Sequence, residues 1–221
     1  MFVTERQLVE TLKGNFKSIC DWNINRSPTN VLEEVNLGFG VADLVISKLK
    51  TNEISKTCLS YFDILIYKII ATDKKVSIDM LKSITKAKES QIRKSLDMLM
   101  LESYVNHQDS IFQIGSGYKS VSSKTIAIEA KLRNWKRALD QAYRYKWFAT
   151  QSYVVLDSQH ISPAINCIHN FTQLNVGLAE INVDGKLTTH FRPTSEKPID
   201  DKMFMLLNEH IKVELFAQQV I

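Results

Sequence analysis

A short apolar segment that ends in two charged residues constrains the fold of this chain more than any other. In Thr125-Ile-Ala-Ile-Glu-Ala-Lys131 the alternation of residues predicts a β-strand, and its period of two puts Glu129 and Lys131 on the same face. A carboxylate binds a hard cation, and an ammonium orients the attacking water or neutralises developing charge. The pair therefore suits metal-dependent hydrolysis. The same spacing also occurs on solvated strand faces, so the neighbouring segments decide between the two interpretations.

Two predicted strands upstream contribute a further acid. Residues 31–37 (VLEEVNL) and 41–46 (VADLVI) lie on either side of Gly38-Phe39-Gly40, which predicts a turn between two strands. Asp43 lies within the second, otherwise apolar run. A carboxylate in an apolar strand needs a partner, and a metal ion supplies one.

A predicted helix and another strand follow the charged pair. Asn134 is a candidate N-cap, and apolar residues recur on one helical face up to about residue 150, before the apolar run 152–156. The helix carries Gln141 and Tyr145 four residues apart. Residues 131–147 hold six Lys or Arg residues against one acid, a local charge of +5 that attracts phosphate backbones.

This order of elements resembles the core of the PD-(D/E)XK nuclease superfamily, which runs helix, three strands, helix, strand. A capping box at Thr4-Glu-Arg-Gln7 opens the first helix. Asp43 on the second strand and Glu129-Ala-Lys131 on the third match the superfamily motif. The Gln141 and Tyr145 spacing is similar to the Q-x-x-x-Y motif of RecB-like members. The resemblance implies a restriction-endonuclease-like α/β fold, with a mixed sheet flanked by helices, and a metal-dependent nuclease that hydrolyses phosphodiester bonds in DNA, with RNA left open.

The resemblance also implies a role for each residue of the motif. Asp43 and Glu129 bind Mg²⁺ or Mn²⁺, the carbonyl of Ala130 assists, and Lys131 serves the attacking water. Valine and alanine stand before Asp43 where the superfamily pattern has proline, a position that varies among its members.

A further acid completes such metal sites, and the sequence offers three candidates. Glu34, on the strand before Asp43, is the preferred one and is assigned to both the metal site and catalysis. Glu10 on the first helix ranks second, and Glu33 ranks third. Glu33 and Glu34 point to opposite faces of their strand, because successive side chains alternate.

The helix after the charged pair is the first candidate surface for nucleic acid. Gln141 and Tyr145 either contact DNA or brace the site, as the resemblance implies. Three further basic residues of this segment are expected to bind the phosphate backbone: Arg133, Lys136 and Arg137.

Residues 53–119, about Glu53 to Lys119, form an insertion that leaves 1–50 and 121–221 for the core. The insertion is too long for an ordinary loop and too apolar for a disordered linker. Its apolar spacing predicts three helices, the second capped by Ser77, and then a short hairpin around His107-Gln-Asp109. This arrangement resembles a winged helix-turn-helix. The start of its third helix would enter the DNA groove through Lys88, Gln91, Arg93 and Lys94.

The composition is that of a cytoplasmic protein without a membrane partner. No apolar run approaches the roughly 20 residues needed to cross a bilayer, and the first residues lack a signal-peptide pattern. The dispersed cysteines Cys20, Cys58 and Cys167 predict reduced core thiols. The helical pattern from Asp200 to Phe216 suits either core packing or a homodimer contact. The main alternative function is a catalytically inactive nucleic-acid-binding or regulatory protein that keeps the nuclease fold.

Overall fold

A computed structural model describes residues 1–50 and 57–219 of the chain. Glu53, the predicted start of the insertion, and residues 220–221 of the predicted core lie outside the described residues. The chain divides into two compact units. The first contains Met1–Thr51 and Ser122–Phe204, and the second contains Asn52–Val121 and Met205–Ile221.

Strands and helices alternate along much of the chain, as expected for an α/β protein. In chain order the strands are β1 (Thr29–Asn36), β2 (Val41–Leu49), β3 (Val105–Gln108), β4 (Ile111–Ile114), β5 (Ser122–Lys131), β6 (Gln151–Asp157), β7 (Gly177–Ile181) and β8 (Leu187–Phe191). The helices are α1 (Glu5–Asn15), α2 (Tyr61–Asp73), α3 (Ile78–Thr85), α4 (Glu89–Leu101), α5 (Trp135–Arg144), α6 (Ser162–Asn166), α7 (Ile168–Leu174) and α8 (Asp201–Gln219).

The first unit is built on a mixed six-stranded sheet flanked by helices, which confirms the α/β class. The strand order is β1-β2-β5-β6-β7-β8. β1, β2 and β5 pair antiparallel, with Ile46 opposite Ile126, whereas β5, β6 and β7 run parallel, and β8 pairs antiparallel with β7. The central strands β5 and β6 are buried along most of their length, and each has an apolar centre, residues 126–128 in β5 and 153–156 in β6.

Helices cover both sides of the central strands. From α1, Leu8 and Leu12 are fully buried in the cluster that includes Ile128 on β5. From α5, Ala138 and Ala142 are fully buried where that helix contacts β5 and β6. Small residues on α5 let its backbone approach the sheet closely, and the hydroxyl of Tyr145, which follows the helix, reaches Glu129 near the end of β5.

Two predicted helices end earlier than their apolar patterns indicate. The helix predicted through residue 150 leaves α-helical geometry after Arg144 and continues as a 3₁₀ turn, Tyr145–Trp147. Ser162 and Pro163, a cap and a first-turn proline, predict another helix through Phe171. That helix is broken at Cys167, whose φ of −113° lies outside the helical range and whose N–H donates to the Ala164 carbonyl. Both breaks are local changes of backbone geometry that leave the apolar pattern intact.

The second unit combines α2, α3 and α4 with the antiparallel pair β3–β4. Its apolar centre holds fully buried residues from each helix, among them Ile66, Leu81 and Leu99. Val76, between α2 and α3, pairs antiparallel with Phe112 on β4 through N–H···O contacts of 3.0 and 2.8 Å. The hairpin therefore gains a third, single-residue strand.

The C-terminal helix α8 belongs to the second unit from Met205 onward, whereas the sequence division assigned residues 121–221 entirely to the core. Buried polar contacts account for this placement. Glu209 accepts hydrogen bonds from the Leu59 N–H at 2.7 Å and from the Tyr118 hydroxyl at 2.7 Å. Lys212 pairs with Glu209 at 2.6 Å and donates to the Thr57 carbonyl at 2.6 Å.

No helix within residues 1–50 and 57–219 is both long and apolar enough to cross a membrane. The cysteines Cys20, Cys58 and Cys167 are free thiols of intermediate burial. Burial, with the nearby Asp21 charge, raises the pKa of Cys20 to about 12. Its thiol is therefore protonated at neutral pH.

Candidate active site

Neighbouring strands bring Asp43 and the Glu129-Ala130-Lys131 segment into contact. The β2–β5 pairing ends at Leu44 opposite Ile128, one residue short of both acids. Beyond that pair, the carboxylate Oδ2 of Asp43 accepts the backbone N–H of Ala130 at 2.7 Å. The acid on β2 is thus tied to the backbone between the two charged residues of β5.

Glu129 is 1% exposed, and a polar group lies close to each of its carboxylate oxygens. The Lys131 ammonium lies 2.9 Å from Oε1. The buried hydroxyl of Tyr145 donates to Oε2, and the phenol oxygen also lies 2.7 Å from the Val41 carbonyl oxygen. The Tyr145 of the Q-x-x-x-Y pattern therefore braces the Glu129 carboxylate against the start of β2.

Glu5, the first residue of α1, is a member of the site that the sequence did not reveal. Its Oε2 lies 3.1 Å from the Lys131 ammonium, which bridges Glu5 and Glu129. The capping box at Thr4 indicated that Glu5 opens a helix. It could not indicate that this end of α1 meets the end of β5, because that contact depends on how the helix packs across the sheet.

The three acids that the sequence proposed as additional ligands are all exposed, and one of them, Glu34, lies across from Asp43. Glu10 is exposed on α1, and Glu33 forms an ion pair with Lys13. Glu34 is exposed with a left-handed φ of 51°, and its side chain has no hydrogen bond or ion pair within the described residues. By register it lies on β1 across from Asp43, between the pairs Glu33–Leu44 and Val35–Ala42. In residues 1–50 and 57–219, no group of three or more acidic, histidine or cysteine side chains is arranged to hold a metal ion.

Negative charge exceeds positive charge at the site. Burial, together with the Glu129 and Glu5 charges, raises the pKa of Asp43 to about 6 against the opposing effects of the Ala130 N–H and the Lys131 ammonium. Burial alone would lower the pKa of Lys131, but its hydrogen bond and attraction to Glu129, aided by Asp43 and Glu5, raise it. Three carboxylates therefore share one ammonium.

The Tyr145 phenol stays protonated beside these acids. Burial, and then its hydrogen bond to Glu129, raise the pKa of Tyr145 well above its usual range. A protonated phenol is a hydrogen-bond donor, which is the function that the Glu129 carboxylate needs in a buried position.

A cleft of about 370 Å³ adjoins the site at Glu5. Arg133, immediately beyond β5, lines this cleft and its Nε lies 3.1 Å from Nε2 of His160, which lines it too. Lys136 and Arg137 are exposed on the first turn of α5. Gln141 is half-buried, and its Oε1 has no hydrogen-bond partner in the described part of the chain.

The four residues predicted to contact DNA on the third helix of the second unit are all exposed around the start of α4. Lys88 is the N-cap residue, and Gln91 and Lys94 follow on the first turns. Arg93 differs because its guanidinium donates twice to Glu89, at 3.0 and 2.7 Å. Arg93 is therefore already paired with an acid on its own helix.

Comparisons of this chain with protein-family models, curated proteins and solved structures give no match. What the site can do must follow from the chemistry of its own residues. Three carboxylates and one lysine form a polar, negatively charged group that adjoins a cleft at Glu5.

Proposed function

We propose that this chain is a divalent-metal-dependent nuclease that hydrolyses phosphodiester bonds in DNA. The observation that carries the proposal is the hydrogen bond from the Ala130 N–H to Asp43, which joins the acid of β2 to the Glu129 and Lys131 pair of β5. In the proposed assignment, the mixed sheet of the first unit is a restriction-endonuclease-like core. The three helices and hairpin of the second unit are a winged helix.

The donor set suits Mg²⁺ or Mn²⁺. Hard cations bind oxygen ligands, and Mg²⁺ is usually held by one or two carboxylates with its remaining positions filled by water and phosphate. Asp43 and Glu129 supply the carboxylates, with the Ala130 carbonyl as a further donor. Burial and the excess negative charge raise the pKa of Asp43, and a bound cation would neutralise that charge. When bound, the metal acts as a Lewis acid on the phosphoryl group.

The groups around these donors hold the carboxylates in place and balance their charge. Tyr145 fixes the Glu129 carboxylate, and the Ala130 N–H fixes Asp43. Lys131, charged at neutral pH and held between Glu129 and Glu5, places an ammonium beside the proposed phosphate position, where it stabilises the charge that develops on the phosphoryl oxygens. The phosphate backbone of the DNA is then bound by three basic residues that follow β5 along the chain, Arg133, Lys136 and Arg137.

A second candidate function is supported by the Lys131 contacts. Because its ammonium already compensates the buried Glu129 and also pairs with Glu5, the site is partly neutralised without a cation. A catalytically inactive protein that binds nucleic acid through the same basic segment has the same internal contacts. The two candidates differ in whether the acids bind a cation.

Incubation of the purified protein with Mg²⁺ or Mn²⁺ and a panel of linear, nicked, branched and single-stranded DNA tests the proposal. We expect cleavage of at least one substrate that is lost in Asp43→Asn and Glu129→Gln and kept in the exposed-residue control Asp97→Asn. Calorimetric titration with Mn²⁺ on the same proteins measures cation binding separately. Absence of cleavage together with absence of Mn²⁺ binding in the wild type would reject the nuclease in favour of the second candidate.

A further inference from the structure

Two aromatic rings stack on the surface beside the candidate active site. The centroids of Phe39 and Trp147 are 5.0 Å apart, and their planes differ by 12°. Trp147 is 37% exposed, and Phe39 is of intermediate burial. A parallel aromatic pair that is open to solvent offers a flat apolar face, to which another planar ring can bind.

The pair is connected to the catalytic residues from both sides. Phe39 lies in the turn between β1 and β2, whose flanking glycines have φ of 88° and 112° and so hold a geometry that other residues rarely adopt. It precedes Asp43 by four residues, a span of at most about 14 Å. Trp147 ends the 3₁₀ turn that begins with Tyr145, the residue that braces Glu129.

A cationic group lies against the same turn. A Cβ at Gly40 would lie 3.9 Å from Nη2 of Arg144, so this guanidinium is next to the residue that follows Phe39. Arg144 is exposed and has no carboxylate partner within the residues that the structure describes. Partly exposed aromatic rings beside an arginine without a carboxylate partner match the chemistry of single-stranded nucleic acid, which stacks its bases on aromatic side chains and places its phosphates on basic ones.

We propose that Phe39 and Trp147 bind an unpaired base of single-stranded DNA, with Arg144 on the adjacent phosphate. Bases in a duplex are already stacked on each other, so their faces cannot reach a side chain without local opening. The site therefore selects single-stranded or opened DNA for the neighbouring catalytic residues. This inference rests on the proposed nuclease function, for which it names the substrate class.

The test measures binding of the full chain to fluorescent oligo(dT) and to a duplex of equal length, in EDTA so that no cleavage takes place. We expect Trp147→Leu and Phe39→Leu each to weaken binding of the single strand about tenfold, since loss of one stacked base corresponds to about that factor. Duplex binding should change less than about twofold. Trp147→Phe, which keeps a ring, should restore most of the affinity.

Matched controls separate stacking from other effects. Tyr61→Leu removes an aromatic ring of similar exposure on α2 and should leave single-strand binding unchanged. Unchanged circular dichroism and melting identify variants that keep the fold. Equal losses on single strand and duplex, or wild-type affinity in both leucine variants, would overturn the proposal. Because binding is measured without metal, selective loss in the absence of any nuclease activity would support this site while rejecting the catalytic function.

Discussion

Replacement of Asp43 by asparagine should stabilise the first unit at neutral pH while abolishing metal-dependent activity. The charged form of Asp43 is disfavoured by burial and by the nearby Glu129 and Glu5 carboxylates, which raise its pKa from 3.8 to about 6. At about 1.36 kcal/mol per pKa unit, the full shift corresponds to roughly 3 kcal/mol. Partial exposure of the carboxyl reduces the expected gain to about 1–2 kcal/mol in the free energy of unfolding. Asparagine keeps an oxygen that can accept the Ala130 N–H.

The sign of the effect fixes its pH dependence. An acid with a raised pKa in the folded state binds its proton more tightly there, so its favourable contribution is complete below about pH 4 and is lost as pH rises through about 6. Asparagine does not ionise, so the Asp43→Asn variant does not lose this stability as pH rises. The difference between variant and wild type should therefore be near zero at pH 4 and reach its full value at pH 7.

Urea unfolding in EDTA, followed by tryptophan fluorescence, measures this difference. The three tryptophans, Trp22, Trp135 and Trp147, all lie in the first unit, so the signal reports on the unit that contains the site. Asp97→Asn, at an exposed position, should stay within about 0.5 kcal/mol of the wild type. Burial and like charge would be refuted as the cause of the raised Asp43 pKa by either of two results. One is a variant that is less stable than the wild type at pH 7, and the other is a stability difference that does not vary with pH.

Addition of Mn²⁺ should reverse the order of stability. A ligand that binds only the folded state stabilises it by about 2.7 kcal/mol at a concentration one hundred times its Kd. Only the wild type retains both carboxylates and should gain this stabilisation. Equal gains in the two proteins would place the metal elsewhere.

Four further substitutions test individual contacts. Tyr145→Phe leaves Glu129 Oε2 without its donor, so it should lower the free energy of unfolding by about 1–3 kcal/mol and slow cleavage. The control Tyr143→Phe, on the adjoining helix α5, should change neither. Lys131→Met removes the ammonium that lies beside Glu129 Oε1, so calorimetry should show tighter Mn²⁺ binding while single-turnover assays show slower cleavage; an unchanged cleavage rate would make Lys131 merely structural. Lys94→Ala, at a position with no ion-pair partner among the described residues, should flatten the salt dependence of DNA binding by roughly one unit of slope. Arg93→Ala should have a smaller effect because Glu89 already neutralises that residue, and the reverse order would show that Arg93 leaves Glu89 on binding.

The local sequence pattern correctly predicted strands β2 and β5 and the positions of Asp43 and Glu129 on them. The alternating residues up to Lys131 and the glycine turn before Asp43 are short-range signals, and both strands form where they indicate. Pairing of β2 with β5 then brings the two acids to the same end of the sheet. The α/β class with a mixed sheet flanked by helices is confirmed for the same reason, since strands with buried faces must be covered by the helices that separate them.

Contacts made by packing across the sheet were not predictable in this way. Glu5 reaches Lys131 only because the first turn of α1 lies over the end of β5, and no spacing in the sequence encodes that distance. Glu34 had the preferred spacing, but its left-handed backbone and exposure depend on the course of β1 at that point. Glu209 and Lys212 have the spacing of an ordinary surface pair three residues apart, yet they are 2% and 1% exposed.

The contacts of Glu209 and Lys212 also determine when the second unit can be completed during synthesis. They join α8 to Leu59 and Thr57 across 150 and 155 residues of chain. The helices and hairpin encoded before residue 121 leave the ribosome long before these partners exist. Until Glu209 and Lys212 have emerged, the Leu59 N–H and the Thr57 carbonyl lack these native partners. The second unit therefore cannot complete its native packing before α8 has been synthesised.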